Sequence, residues 1–125
     1  MIVLIVDDLA LFRQMIKDTL LSAFPDVTVT EAGNGRTAMD RIDASCPDIV
    51  FMDIVLPDEN GLILTRKIKA ACPAAKVIVL TNHDTEEHRE AAREYGVDHF
   101  LAKSSVSPKD IEDVVQGAGP TQKSP

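Results

Sequence analysis

Three short runs in this chain are apolar without a break: Ile2-Val3-Leu4-Ile5-Val6, Ile49-Val50-Phe51-Met52 and Val77-Ile78-Val79-Leu80. A strand with one wet face alternates polar and apolar residues. An unbroken run needs both faces covered, which is the condition of a central strand in a parallel sheet with helices on either side. Two further segments are weaker: Val27-Thr28-Val29-Thr30-Glu31 alternates, and Val97 to Ala102 is interrupted by Asp98 and His99. Both are expected nearer the sheet edges.

Helical patterns separate these runs. Leu9, Phe12, Ile16, Leu20 and Ala23 recur at steps of three and four and stop before Pro25, which predicts one apolar helical face. Arg36 to Ala44 follows Asn34-Gly35 with Ala38, Met39 and Ile42 on one side, and Gly61 to Ala71 reads as helix up to Cys72-Pro73. Asp84 with Glu87 resembles a capping box, and the helix it opens offers only Ala91, Ala92 and Tyr95 to a core before Gly96 stops it. Ser107 as N-cap and Pro108 at the first helical position open a last helix with Ile111, Val114 and Val115 inward. Alternating strands and helices without a repeat signature predict an α/β fold, a doubly wound parallel sheet of five strands with five helices.

At 125 residues the chain suits one domain, able to bury roughly two thirds of its unfolded surface without staples. The expected bounds are 1–116, with 117–125 a flexible tail or linker stub because that stretch is rich in Gly and Pro and has no apolar pattern. No apolar run approaches the roughly 20 residues of a bilayer span, and no basic leader precedes the first apolar run. A cytoplasmic location is expected. Cys46 and Cys72 lack the close spacing of redox or zinc motifs, so they read as reduced, partly buried thiols. A net charge of -7 without a Lys/Arg cluster gives no footprint for direct nucleic-acid binding.

In a doubly wound sheet ligands bind beyond the carboxyl ends of the strands. There the chain places Asp7 and Asp8 after the first strand, Asp53 after the third, Thr81 after the fourth and Lys103 after the fifth. Singly each has an ordinary reading: Asp8 as a helix cap, Asp53 or Thr81 as a turn or cap residue, Lys103 as a solvated lysine. Together they make an acidic pocket with one cation. Crowded carboxylates need a cation to relieve them, and hard oxygen ligands suit Mg²⁺. A carboxylate can also accept a phosphoryl group as nucleophile if that group's oxygens are neutralised, by the metal, by Lys103 and by the Thr81 hydroxyl.

The runs Leu4-Ile5-Val6-Asp7-Asp8, Phe51-Met52-Asp53-Ile54-Val55-Leu56-Pro57 with Gly61 beyond, Val79-Leu80-Thr81 and Phe100-Leu101-Ala102-Lys103 resemble the receiver domain of two-component response regulators, in the family's order and spacing over residues 1 to about 116. The resemblance implies a flavodoxin-like (βα)5 fold with strand order 2-1-3-4-5, as in the chemotaxis member of that family. It implies Asp53 as phosphoacceptor, Asp8 and Asp53 binding Mg²⁺ with the Val55 backbone carbonyl, Asp7 supporting the metal through water, and Thr81 and Lys103 contacting the phosphoryl group. The donor would be a phosphohistidine on a sensor histidine kinase or phosphotransfer protein. Thr81 and Phe100 would form the switch that remodels the face of helix four, strand five and helix five for a downstream protein effector, with homodimerisation through that face also open. Such a chain is a signalling phosphoprotein, not an enzyme beyond its own phosphorylation and slow dephosphorylation.

The sequence departs from the family where Ser104 and Ser105, not a cis proline, follow Lys103. The residues two past Asp53 and Thr81, here Val55 and His83, tune phosphoryl lifetime in the family. An apolar Val55 cannot orient the attacking water, so slow self-hydrolysis is expected. Asn82 also stands where relatives often carry a small residue. An aspartyl-phosphate phosphatase or mutase wants a second carboxylate where Val55 stands, and a flavin or nucleotide module wants a Gly/Ser/Thr-rich loop where Asp7-Asp8-Leu9 stands. The alternatives kept are an interaction module independent of phosphorylation, and the receiver part of a longer DNA-binding regulator, to which His83-Asp84 and the Ala91-Ala92 helix bear some likeness.

Overall fold

The computed structural model describes residues 1–83 and 85–118. Its strands are β1 (Ile2–Val6), β2 (Thr28–Ala32), β3 (Ile49–Met52), β4 (Lys76–Thr81) and β5 (His99–Ala102). They alternate with α1 (Ala10–Ala23), α2 (Gly35–Ala44), α3 (Gly61–Ala71), α4 (Glu86–Glu94) and α5 (Pro108–Ala118). The sheet is wholly parallel in the order β2-β1-β3-β4-β5. The three unbroken apolar runs are the three interior strands, and the two mixed segments are the edges, as expected.

Successive side chains of a strand point to opposite faces, and this divides the core in two. Leu4, Val6, Val50, Met52, Val77 and Val79 pack with α2, α3 and α4, through Ala38, Ile42, Leu64, Ile68 and Ala92. Val3, Ile5, Ile49, Phe51, Ile78 and Leu80 pack with α1 and α5, through Ile16, Leu20, Ile111 and Val115. All five strands therefore end at one edge. No helix among the described residues is long and apolar enough to cross a membrane.

Some local readings are corrected. Asp8 does not cap α1: Leu9 is the N-cap residue with no side-chain bond, and Asp7 Oδ1 instead accepts the Leu9 N–H at 2.9 Å. Leu9 consequently stands exposed, not on the buried face of α1. The N-cap of α4 is Thr85, whose hydroxyl accepts the His88 N–H; Asp84, read as the start of a capping box with Glu87, lies outside the described residues. At α5 Ser107 does cap, and the bond is reciprocal: Ser107 Oγ accepts from Asp110 N–H at 3.1 Å and Asp110 Oδ2 accepts from Ser107 N–H at 3.0 Å. That helix continues through Gly117 and Ala118, and the remainder of the expected tail, 119–125, lies outside the described residues.

The cysteines require a larger correction. Cys46 and Cys72 form a disulfide, with Cα atoms 5.7 Å apart. Their local spacing gave no hint of this because the pairing is tertiary. Cys46 follows α2 and Cys72 caps the end of α3, and these neighbouring helices lie on one face of the sheet with the same polarity, so their carboxyl ends meet.

Candidate functional site

The pocket forms where the first, third, fourth and fifth strands end. Val6 pairs with Met52, Met52 with Val79 and Thr81 with Ala102, so register sets Asp7 and Asp53 at one level, with Thr81 one residue and Lys103 two residues further along the same edge of the sheet. Asp7, Asp8 and Asp53 each offer a carboxylate oxygen, all within 4.8 Å of one another. Lys103 Nζ reaches into the cluster, 2.7 Å from Asp7 Oδ2 and 3.2 Å from Asp53 Oδ2. Asp7 is 2% exposed and Asp53 7%, while Asp8 faces solvent.

Two carboxylates, Asp7 and Asp53, share one ammonium here, with the Asp8 carboxylate beside them. Burial pushes the Asp7 carboxyl above its ordinary range, the Asp53 charge adds to that, and the bonds from Lys103 and the Leu9 N–H only partly offset it. The two partners respond differently because the lysine meets two anions and each anion only one lysine. Burial opposes the Lys103 charge, yet the bond to Asp7 and the charges of Asp53 and Asp7 outweigh it and raise the lysine. The donor set is hard oxygen with an excess of negative charge, partly wet through Asp8. That is the chemistry a small divalent cation satisfies, so the residues present fit Mg²⁺.

Thr81 is fully buried, and its Oγ1 accepts the His83 N–H at 3.2 Å. The Lys103 N–H donates to the Thr81 carbonyl at 2.8 Å, tying the ends of β4 and β5 together. No cis peptide occurs among the described residues, and with Ser104 and Ser105 following it Lys103 still reaches the pocket. Val55 is 53% exposed at the pocket mouth, in the loop that follows β3, and its N–H points to Asp53 Oδ1 at 3.4 Å. Phe100 lies half-buried against the core beneath the Arg89 guanidinium, 4.7 Å from the ring centre. His83 is exposed beside His88.

Several residues that hold the site were not singled out from sequence. Arg13 donates to the Asp7 carbonyl and, at 3.0 Å, to Glu31 Oε1, joining the β1–α1 loop to the end of β2. The Phe12 ring lies 4.5 Å from Lys103 Nζ, a cation–π contact on the amine's apolar side. Neither had a local signal, since a lone Arg and a periodic Phe are ordinary in an amphipathic helix. Asp58 is the third, through its bonds to the start of α2. Gly61, part of the run that carries the resemblance, also holds the site, its N–H donating to the Ile54 carbonyl at 2.6 Å.

The family described as the response regulator receiver domain matches residues 3–116. The chain belongs to that family. The receiver is 39% identical over 110 residues to the chemotaxis protein CheY of Thermotoga maritima, covering 88% of this chain and 91% of the relative. It is 34% identical to the probable transcriptional regulatory protein TcrX of Mycobacterium tuberculosis, covering 90% of this chain but only 46% of that protein. A CheY-like receiver from Methanospirillum hungatei superposes with a TM-score of 0.83 at 26% identity, covering 91% of this chain and 89% of that one. The resemblance read from the strand-end motifs is thus borne out. Receivers of this kind serve two-component signalling, both as nearly whole proteins and as parts of longer ones.

Proposed function

We propose that this receiver accepts a phosphoryl group on Asp53 from a phosphohistidine donor, with Mg²⁺ bound by Asp8, Asp53 and the Val55 carbonyl and supported by Asp7. What carries the reading is the Lys103 ammonium held between Asp7 and Asp53 within a three-carboxylate cluster. Bound Mg²⁺ would neutralise phosphoryl oxygens and lessen the repulsion that faces an incoming anion. A carboxylate oxygen of Asp53 attacks phosphorus in line, the O–P bond forms as the donor's N–P bond breaks, and the imidazole leaves with the electron pair. Lys103, already placed at Asp53, stays with the developing charge, and the Thr81 hydroxyl donates to a phosphoryl oxygen. The donor is a sensor histidine kinase or phosphotransfer protein, and the output is a protein effector.

With acetyl phosphate and Mg²⁺, intact-mass spectrometry should find one phosphoryl adduct on the wild type and none on Asp53→Asn. An adduct on the variant would remove Asp53 from this role. A wild type that takes up no phosphoryl group, yet captures the same partner as Asp53→Asn, would favour a phosphorylation-independent interaction module.

The lifetime of that adduct should be long, because Val55 at the pocket mouth has no polar group to orient water. Val55→Asn is expected to hasten decay several-fold in a single-turnover assay, and an unchanged or slower decay would refute the role given to Val55. His83, the other position assigned to lifetime, contributes its N–H to Thr81 and would follow any movement of that hydroxyl.

The switch is assigned to Thr81 and Phe100 and the output to the α4–β5–α5 face. Ala92 is the only buried residue of α4 among those described, and few buried contacts leave a small free-energy gap between arrangements of a helix. Beryllofluoride with Mg²⁺ should alter amide exchange in α4 and β5 more than in α1. Equal protection in both states would count against this face as the output.

A further inference from the structure

The loop between β3 and α3 carries the Val55 carbonyl, and its far end is bonded to a different helix. Val55 and Asn60 form an antiparallel bridge, so 55–60 is a small hairpin. Its base is held on the α3 side, where the Gly61 N–H donates to the Ile54 carbonyl and Asn60 Oδ1 caps α3 through the Leu62 N–H at 2.7 Å. Its tip is held by Asp58. One carboxylate oxygen accepts the Gly35 N–H at 2.8 Å and the other accepts the Arg36 N–H at 3.1 Å. These are the first two amides of α2, groups with no partner inside the helix. The side chain of Asn34 already takes the Thr37 N–H at 2.8 Å, so the helix has its own cap and Asp58 is an addition that joins two elements.

The neighbouring contacts strengthen that junction. Glu59 packs so tightly over Gly35 that a Cβ there would lie 2.9 Å from Glu59 Cγ. Lys67 of α3 pairs with Glu59 Oε1 at 3.1 Å. The Gly35 N–H, the largest influence on Asp58, and the Arg36 N–H hold the Asp58 carboxyl below its usual range, so it accepts both bonds as a carboxylate at neutral pH.

We propose that Asp58 is a positioning residue for the cation site: by clamping the tip of the 55–60 hairpin to the start of α2, it fixes the Val55 carbonyl beside Asp8 and Asp53. The inference rests on the receiver reading of the pocket. Without the clamp, the tip keeps only the packing of Glu59 over Gly35 and its pair with Lys67, with no hydrogen bond from Asp58 to α2, and the carbonyl samples positions that do not converge with the carboxylates. Loss of a group that orients a metal ligand typically weakens metal affinity by about tenfold or more.

The test is a calorimetric Mg²⁺ titration of the wild type, Asp58→Ala, Asp58→Asn and Asn34→Ala, with amide spectra of 53–55 recorded alongside. Both alanine variants lose hydrogen bonds at the start of α2 and should lower the thermal midpoint. Only Asp58→Ala should weaken Mg²⁺ binding about tenfold and broaden the amides of Ile54 and Val55. Asp58→Asn keeps one acceptor for the Gly35 N–H and should recover part of the affinity. Wild-type affinity in Asp58→Ala, or an equal loss in Asn34→Ala, overturns the clamp while leaving the pocket assignment standing. Absence of Mg²⁺ binding by the wild type overturns both.

Discussion

Gly61→Ala should cost the receiver about 3 kcal/mol or more of unfolding free energy and slow phosphoryl uptake at Asp53 along with it. Gly61 is the first residue of α3, directly against the backbone of the phosphoacceptor. A Cβ there would stand 2.9 Å from the Asp53 carbonyl carbon and 2.9 Å from Ile54 Cα, and still closer to the Asp53 carbonyl oxygen. A flexible side chain could turn aside from such a contact, but backbone atoms cannot. The start of α3 and the end of β3 would have to separate, stretching the Gly61 N–H bond to the Ile54 carbonyl that spans the junction, and the Asn60 cap and the buried Thr65 hydroxyl bond to the Gly61 carbonyl at 2.8 Å, both local to the start of α3, would shift with it. The reason is closeness of approach, since Gly61 does not have a positive φ.

Gly117→Ala is the matched control. It sits in α5 with nothing within 4 Å of its added Cβ, and replacing an unstrained helical glycine should leave stability unchanged or raise it by about 0.5–1 kcal/mol. Urea denaturation of both variants, with acetyl phosphate labelling of the folded fraction, gives the comparison. If Gly61→Ala unfolds at the same urea concentration as Gly117→Ala, close packing of α3 on Asp53 is not needed by this fold.

Why the sheet and the pocket could be read from sequence, while the supports around the pocket could not, follows from the range of the interactions. Burial on both faces is written into the composition of β1, β3 and β4, and the strand-end position of Asp7, Asp53, Thr81 and Lys103 follows as soon as the strands are parallel. Arg13 and Asp58 act through partners that the fold brings near. Asp58 reads locally as one acid in a turn-forming loop, and only the adjacency of α2 and α3 turns it into a cap for Gly35 and Arg36. Asp8 was legible as a site residue yet misleading as a helix cap, because its neighbour Asp7 is the one whose oxygen meets the first turn of α1. The sparse packing of α4 was legible because Ala91, Ala92 and Tyr95 are the sole apolar residues its pattern offers, although Arg66 over the Tyr95 ring at 4.2 Å adds an anchor no periodicity displays.

The disulfide belongs to the same class of long-range feature, and its removal should be the largest covalent perturbation available. Closing a loop between residues 26 apart removes entropy from the unfolded chain worth about 3.5 kcal/mol. Reduction of the wild type should lower the unfolding free energy by about that amount, and Cys46→Ser should unfold at the reduced protein's urea midpoint whether or not reductant is present. Cys46 is the better position to substitute: it is exposed, whereas Cys72 is buried, and a serine at 72 would add the cost of a buried hydroxyl. The consequence for function should be small. Cys46 precedes β3 and Cys72 precedes β4, so the bond lies at the amino ends of the strands, across the sheet from Asp53. It joins α2 and α3 at one end, and Asp58 with Glu59 joins the same two helices at the other. Phosphoryl uptake measured well below the unfolding transition should therefore be unaffected by reductant, while the urea midpoint shifts; a midpoint indifferent to reductant in the wild type would mean that the two sulfurs are not bonded in solution.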